Sequence, residues 1–97
     1  MSDLAGCHTY QDTNFQSGDS PAVLEPIKEI GTPASGGFIK NTGSGNINIK
    51  LECKRSEIDS NDFLLKDAEE FNLKGLDVTK ITLTHVTDSS YKIFIHR

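Results

Sequence analysis

Cys7 and His8 put a thiol beside an imidazole. Nucleophilic catalysis needs that pair in contact, with a carboxylate orienting the ring. Neighbours on extended backbone point to opposite sides, so this spacing works against the contact. His85 and His96 are the other imidazoles, and two of them without a third ligand make a poor zinc site. Asp59, Asn61 and Asp62 offer oxygen ligands in one polar stretch and Asp88 in another. A calcium loop needs more carboxylates at fixed spacing, usually with a glycine at the sharp turn, so these read as solvated acidic loops. Glu69 and Glu70 are adjacent and cannot form an acid/base pair on one strand face. The glycines at 36–37 and 43–45 match no phosphate-cradling pattern, and no helix is expected after them. No catalytic, cofactor-binding or metal-binding residue is therefore expected, no cofactor is implied, and the chain does not read as an enzyme.

The elements that would have to position these groups read as strands. In Asn46 to Cys53, apolar Ile47, Ile49, Leu51 and Cys53 alternate with polar Asn46, Asn48, Lys50 and Glu52. Alternate side chains on a strand face opposite ways, so one face is buried and the other wet. Phe38-Ile39-Lys40 reads as a short strand, and Asn41 to Gly45 as the turn joining it to 46–53 in a hairpin. Residues 22–30 contain Pro26, which cannot donate to a ladder, so they read as an edge strand or extended segment. Residues 54–62 are a polar connection, and 63–73 read as strand, turn, strand in preference to a short helix. Lys80 to Val86 and Tyr91 to His96 are the last two strands. Paired through a three-residue loop at Thr87-Asp88-Ser89, they set His85 opposite Tyr91 and keep His85 and His96 on opposite faces. Thr82 and Phe94 then share the other face, where an exposed Phe94 is either covered by a neighbour or part of a contact surface.

The sum is an all-β protein, a small antiparallel β-sandwich of about six or seven strands, either jelly-roll-like or immunoglobulin-like. A chain of 97 residues holds one core. Its apolar fraction of 35% is low, which sets residues 1–20 aside as a flexible N-terminal arm and leaves 21–97 as the sandwich domain. Tyr10 and Phe15 would anchor such an arm on a neighbouring subunit, and Val23, Leu24 and Ile27 would offer a strand for pairing with another chain. Cys53 reads as a small buried hydrophobe, and a Cys7–Cys53 disulfide is disfavoured in a chain without a cysteine framework.

The net charge of −4 excludes binding nucleic acid through phosphates, which needs a concentrated basic surface. No stretch has the apolar length to cross a bilayer, and no basic-then-apolar secretory signal opens the sequence, so synthesis in a cytoplasm is expected. Sugar-binding β modules usually present exposed aromatics. This chain has no Trp and seven aromatics in all, several of which the core must use.

Gly37 to Asn41, the Gly43-Ser44-Gly45 turn with the strand after it, Leu73 to Val78 leading into Ile81-Thr82-Leu83, and Asp88-Ser89-Ser90-Tyr91 form an ordered series. That series resembles small virion structural proteins of tailed bacteriophages over about residues 22–97. It departs from them at Cys53 to Glu57, where an Asp-Gly turn and a Phe are usual. The resemblance implies a non-enzymatic head-decoration (cement) or accessory head–tail subunit located in the virion. Such a subunit would be a homo-oligomer binding capsid or other virion proteins. The alternative reading is a receptor- or carbohydrate-binding module with Tyr91 or Phe94 stacked on a sugar. A third is a host-directed inhibitor acting through the acidic loop 57–62.

Overall fold

The structure, a computed structural model, describes residues 6–97. Eight strands and one short α-helix follow in order, with single 3-10 turns at Ser17–Asp19 and Ser56–Ile58: β1 (Cys7–Phe15), β2 (Ala22–Leu24), α1 (Pro26–Ile30), β3 (Gly36–Asn41), β4 (Ile47–Cys53), β5 (Phe63–Leu65), β6 (Glu70–Asn72), β7 (Val78–His85) and β8 (Ser89–His96). They form two four-stranded antiparallel sheets, ordered β1-β8-β3-β6 and β2-β7-β4-β5. Apart from β4 and β5, every strand crosses to the other sheet from the one before it. That connectivity is a jelly roll, which decides between the two sandwich types the sequence leaves open.

The alternating patterns are what fill the space between the sheets. Ile47, Ile49, Leu51 and Cys53 are all buried, facing Ile81 and Leu83 on the same sheet and Ile93 and Ile95 from the other. Burial of these aliphatic side chains supplies the main force for folding, at about 1.5–3 kcal/mol for each one fully buried.

The crossing connectivity corrects the expected hairpins. β3 does not pair with β4, nor β5 with β6, nor β7 with β8. The turn residues between them carry the chain over the edge of the sandwich. Thr82 and Phe94 consequently lie on different sheets, and His85 is not paired with Tyr91: its ladder partner is Ile47, while those of Tyr91 are Asn41 and Asp12.

The flexible arm is corrected from residue 7 onward. β1 pairs with β8 from Cys7↔His96 to Asp12↔Tyr91 and again at Phe15↔Ser89. Its alternation is hidden in the sequence because the inward positions are His8, Tyr10 and Asp12, which do not read as apolar. Residues 1–5 of the expected arm lie outside the described residues. The extended reading of 22–30 holds only to Leu24, the end of an edge strand. Pro26 then opens α1, where its fixed φ and missing N–H suit a first-turn position, and Gly31 closes the helix in the left-handed region. This five-residue helix packs against β1 and β7, one from each sheet, with Ile30 fully buried.

Candidate functional site

The outer face of the first sheet carries a groove of about 460 Å³. Gly36, Gly37 and Phe38 of β3 form its floor with Phe94 and His96 of β8, and Glu70 and Asn72 of β6 stand with Lys74 along one side. Register places Thr9, Phe94, Phe38 and Asn72 in one row across the four strands. The Phe38 and Phe94 rings stack at 6.0 Å with 30° between their planes, and His96 follows Phe94 at 6.0 Å.

Two glycines shape the hollow. A Cβ on Gly36 would meet the His96 ring at 2.5 Å, so the imidazole lies directly over that backbone. Gly37 has φ of +129°, and a Cβ there would meet the Phe94 carbonyl oxygen at 1.9 Å. The pair lets β8 press against β3 and leaves a depression where side chains would stand.

The polar groups have fixed roles. His96 Nδ1 donates to the main-chain oxygen of Arg97 at 2.8 Å, since that oxygen has no proton to give, and its Nε2 lies over Gly36. The Asn72 side-chain oxygen accepts from the Lys74 N–H at 2.8 Å, which leaves its NH2 free to donate. Apolar faces with a few oriented polar groups, in a cavity of this size, can hold and orient a small ring.

The aromatic inventory explains why the groove exists. Phe15 and Tyr91 are buried in the core, and Tyr10, Phe63 and Phe71 pack against it. Phe38 and Phe94 are the two that remain, and they meet each other on the outer face. The core takes five of the seven aromatics, in line with the expectation that it must use several of them.

Of the residues expected from the sequence to make binding contacts, only Phe94 lies in the groove. Phe15 is fully buried, its ring edge-on to Tyr91 at 5.4 Å, so it anchors the sandwich itself. Tyr10 packs its ring against His8 at 4.7 Å, and its buried hydroxyl has no hydrogen-bond partner among the described residues. Burial, then Glu29 and Glu25, push this phenol up to about 12. Leu24 turns toward the core. Val23 on the edge strand β2 and Ile27 on α1 stay exposed, at 48% and 46%. Tyr91, the other suggested sugar contact, is buried and unavailable.

Missed from the sequence were Phe38, Asn72 and Lys74, while His96 and Glu70 were weighed there only for metal binding and acid/base chemistry. A signal existed: Phe38, Phe94 and His96 occupy the polar phase of strands whose apolar phase is Ile39, Ile93 and Ile95. What joins them is the β3–β8 pairing, which alternation does not encode.

The other candidate groups fall apart in space. Cys7 faces outward and His8 inward, where its Nε2 lies 3.0 Å from Glu29. Cys53 is buried on the other sheet, both thiols are free, and burial with Asp59 and Asp77 raises the Cys53 pKa. Asp59 of the acidic loop accepts from the Cys53 N–H at 2.8 Å, and Ser60 accepts from the Leu51 N–H at 2.7 Å, so part of that loop serves as a cap on β4. His85 Nε2 sits 2.6 Å from Asp88. Among the described residues no three His, Cys, Asp or Glu side chains gather as a metal site, and no helix is long and apolar enough to cross a membrane.

No family model and no curated protein matches the chain. A solved structure of PirA is similar over 99% of this chain and 97% of that one, with 10% identity and a TM-score of 0.46. Likeness at that level assigns this chain neither a family nor a function.

Proposed function

We propose that this chain is a non-enzymatic binding module whose groove takes a sugar ring. The observation that carries this reading is the outward Phe38–Phe94 pair, the aromatics the core does not use. Phenyl faces give up little on contact with the C–H face of a pyranose, while the hydroxyls around that ring need oriented donors and acceptors. Asn72, Glu70 and His96 supply both kinds beside the aromatic floor. The groove is open, which suits one unit of a longer glycan.

The test is a glycan array probed with the full chain, followed by calorimetric titration of any binder. Binding should be lost in Phe94→Ala and weakened in Phe38→Ala, with both variants still melting cooperatively. An array without a binder sinks the proposal.

A second reading, an accessory virion subunit that binds coat proteins as a homo-oligomer, draws on Val23 and Ile27. Both are large, apolar and exposed, and Val23 stands on a sheet edge open to another strand. Its mark is saturable binding to capsids that Val23→Lys removes and Phe94→Ala leaves intact.

A further inference from the structure

The row next to the phenyl pair holds two lysines and one carboxylate, with Glu70 across the ladder from Lys40. Gln11, Lys92, Lys40 and Glu70 stand side by side across the same outer face, with Lys40 directly opposite Lys92. Like charges opposed across a ladder repel. The chain has 14 acidic residues against 10 basic ones, so carboxylates are plentiful. Lys40, Lys92 and Lys74 make no ion pair among the described residues, as is also true of Lys50, Lys54 and Lys66, whereas Lys28 and Lys80 each do. Among the described residues Glu70 is the only carboxylate lining the groove, and Lys40, Lys92 and Lys74 outnumber it on this face of a protein of net charge −4.

Geometry links this charge to the aromatic floor. Lys40 follows Phe38 by two residues and Lys92 precedes Phe94 by two, and both steps run the same way along antiparallel strands. The two ammonium groups therefore spring from positions about 7 Å from the ring pair, within the span of a pyranose and its substituents. Lys74 stands at the groove itself.

We infer that the ligand is an acidic sugar, a pyranose bearing a carboxylate or sulfate, stacked on Phe38 and Phe94 with its anionic group held by Lys40 and Lys92. This rests on the sugar-binding reading and narrows it. An anion at that point removes the repulsion between the two lysines, which a neutral sugar leaves in place.

The experiment uses glycans that differ only in charge: an oligogalacturonate with its methyl ester, and a 6-sulfated N-acetyllactosamine with its unsulfated parent, beside the broader array. The acidic members should bind the full chain, and the Lys40→Gln/Lys92→Gln variant should lose about tenfold in affinity with an unchanged melting temperature. The preference should also fall as salt is raised. Equal binding of neutral and acidic partners, or an unaffected double-lysine variant, with binding still abolished by Phe94→Ala, would overturn the acidic assignment and leave the sugar site standing. No binding anywhere on the array would overturn both.

Discussion

Asn41 is the polar side chain on which the two sheets meet. It is fully buried, and its Nδ2 donates to the carbonyls of Gly45 at 2.7 Å and Leu65 at 3.0 Å. Its Oδ1 accepts from the Gly43 N–H at 3.0 Å and from Ser89 Oγ at 2.7 Å. Two donors and two acceptor sites are thus all used, joining β3 to β5 and to the start of β8. Removing such a side chain strands several buried groups at about 1–3 kcal/mol each. Asn41→Ala should cost at least about 3 kcal/mol in urea unfolding, while Thr42→Ala, which loses an exposed bond to Ser90, should cost under about 1 kcal/mol. Equal losses would mean the network contributes nothing particular. Tyr10 presents the opposite case, a buried hydroxyl with no partner among the described residues. Tyr10→Phe removes a desolvated group and no bond, so stability should hold or rise slightly, whereas Tyr10→Ala should lose about 3 kcal/mol. The phenol is raised from 10.0 to about 12, so the folded state holds its proton longer than the unfolded chain. Its contribution is complete below pH 10 and is lost as pH rises toward 12. Chemical denaturation across that window should show stability falling in the wild type, with a smaller slope in Tyr10→Phe.

At the scale of elements, the legible and the hidden separate along a physical line. Alternation is local, so the strands holding Ile47–Cys53, Ile81–Leu83 and Ile93–Ile95 could be read with their buried faces. Pairing is not local: β1 meets β8 from opposite ends of the described chain, and β3 finds both its partners in the second half. Turn chemistry at 41–45 and 87–90 says that the chain reverses, but the same residues serve a hairpin or a crossing between sheets. α1 was hidden because five residues are too few for a helical period, and β1 because its inward side chains are polar or amphipathic. The groove shared this fate, since Phe94 drew notice as an apolar residue in a polar phase while its neighbour Phe38 lies 56 residues away. Adjacent glycines of β3 test how tightly β8 is pressed against it. At Gly37 a Cβ meets backbone at 1.9 Å, so Gly37→Ala should lose about 3 kcal/mol or more, or fail to fold. At Gly36 the obstacle is the end of the His96 side chain, so Gly36→Ala should fold and displace only the imidazole from the groove. Thermal melts of both variants, with the His96 ring resonances followed by NMR, would check this. Similar melting temperatures would contradict the close approach at Gly37.

For the whole molecule, the decisive fact is that β1 is part of the sandwich. It forms one edge of the first sheet, covers β8 along most of its length, and inserts Phe15 where the ring meets Tyr91 and His85. Losing a buried phenylalanine alone costs about 3–5 kcal/mol, which is comparable to the entire stability of a small domain. Deleting residues 1–20 removes that ring together with the ladder to β8 and the packing of Tyr10. An arm would leave a stable domain behind when cut; a strand of the sheet would not. The chain beginning at residue 21 should therefore lose its cooperative thermal transition by circular dichroism, while Val23→Lys, exposed on the edge strand of the other sheet, should keep it. A truncated chain that melted cooperatively within a few degrees of the full-length protein would show that β1 docks on a sandwich already complete without it. That outcome would restore the N-terminal segment as an element free to leave, and with it the possibility of exchanging β1 between copies of the chain.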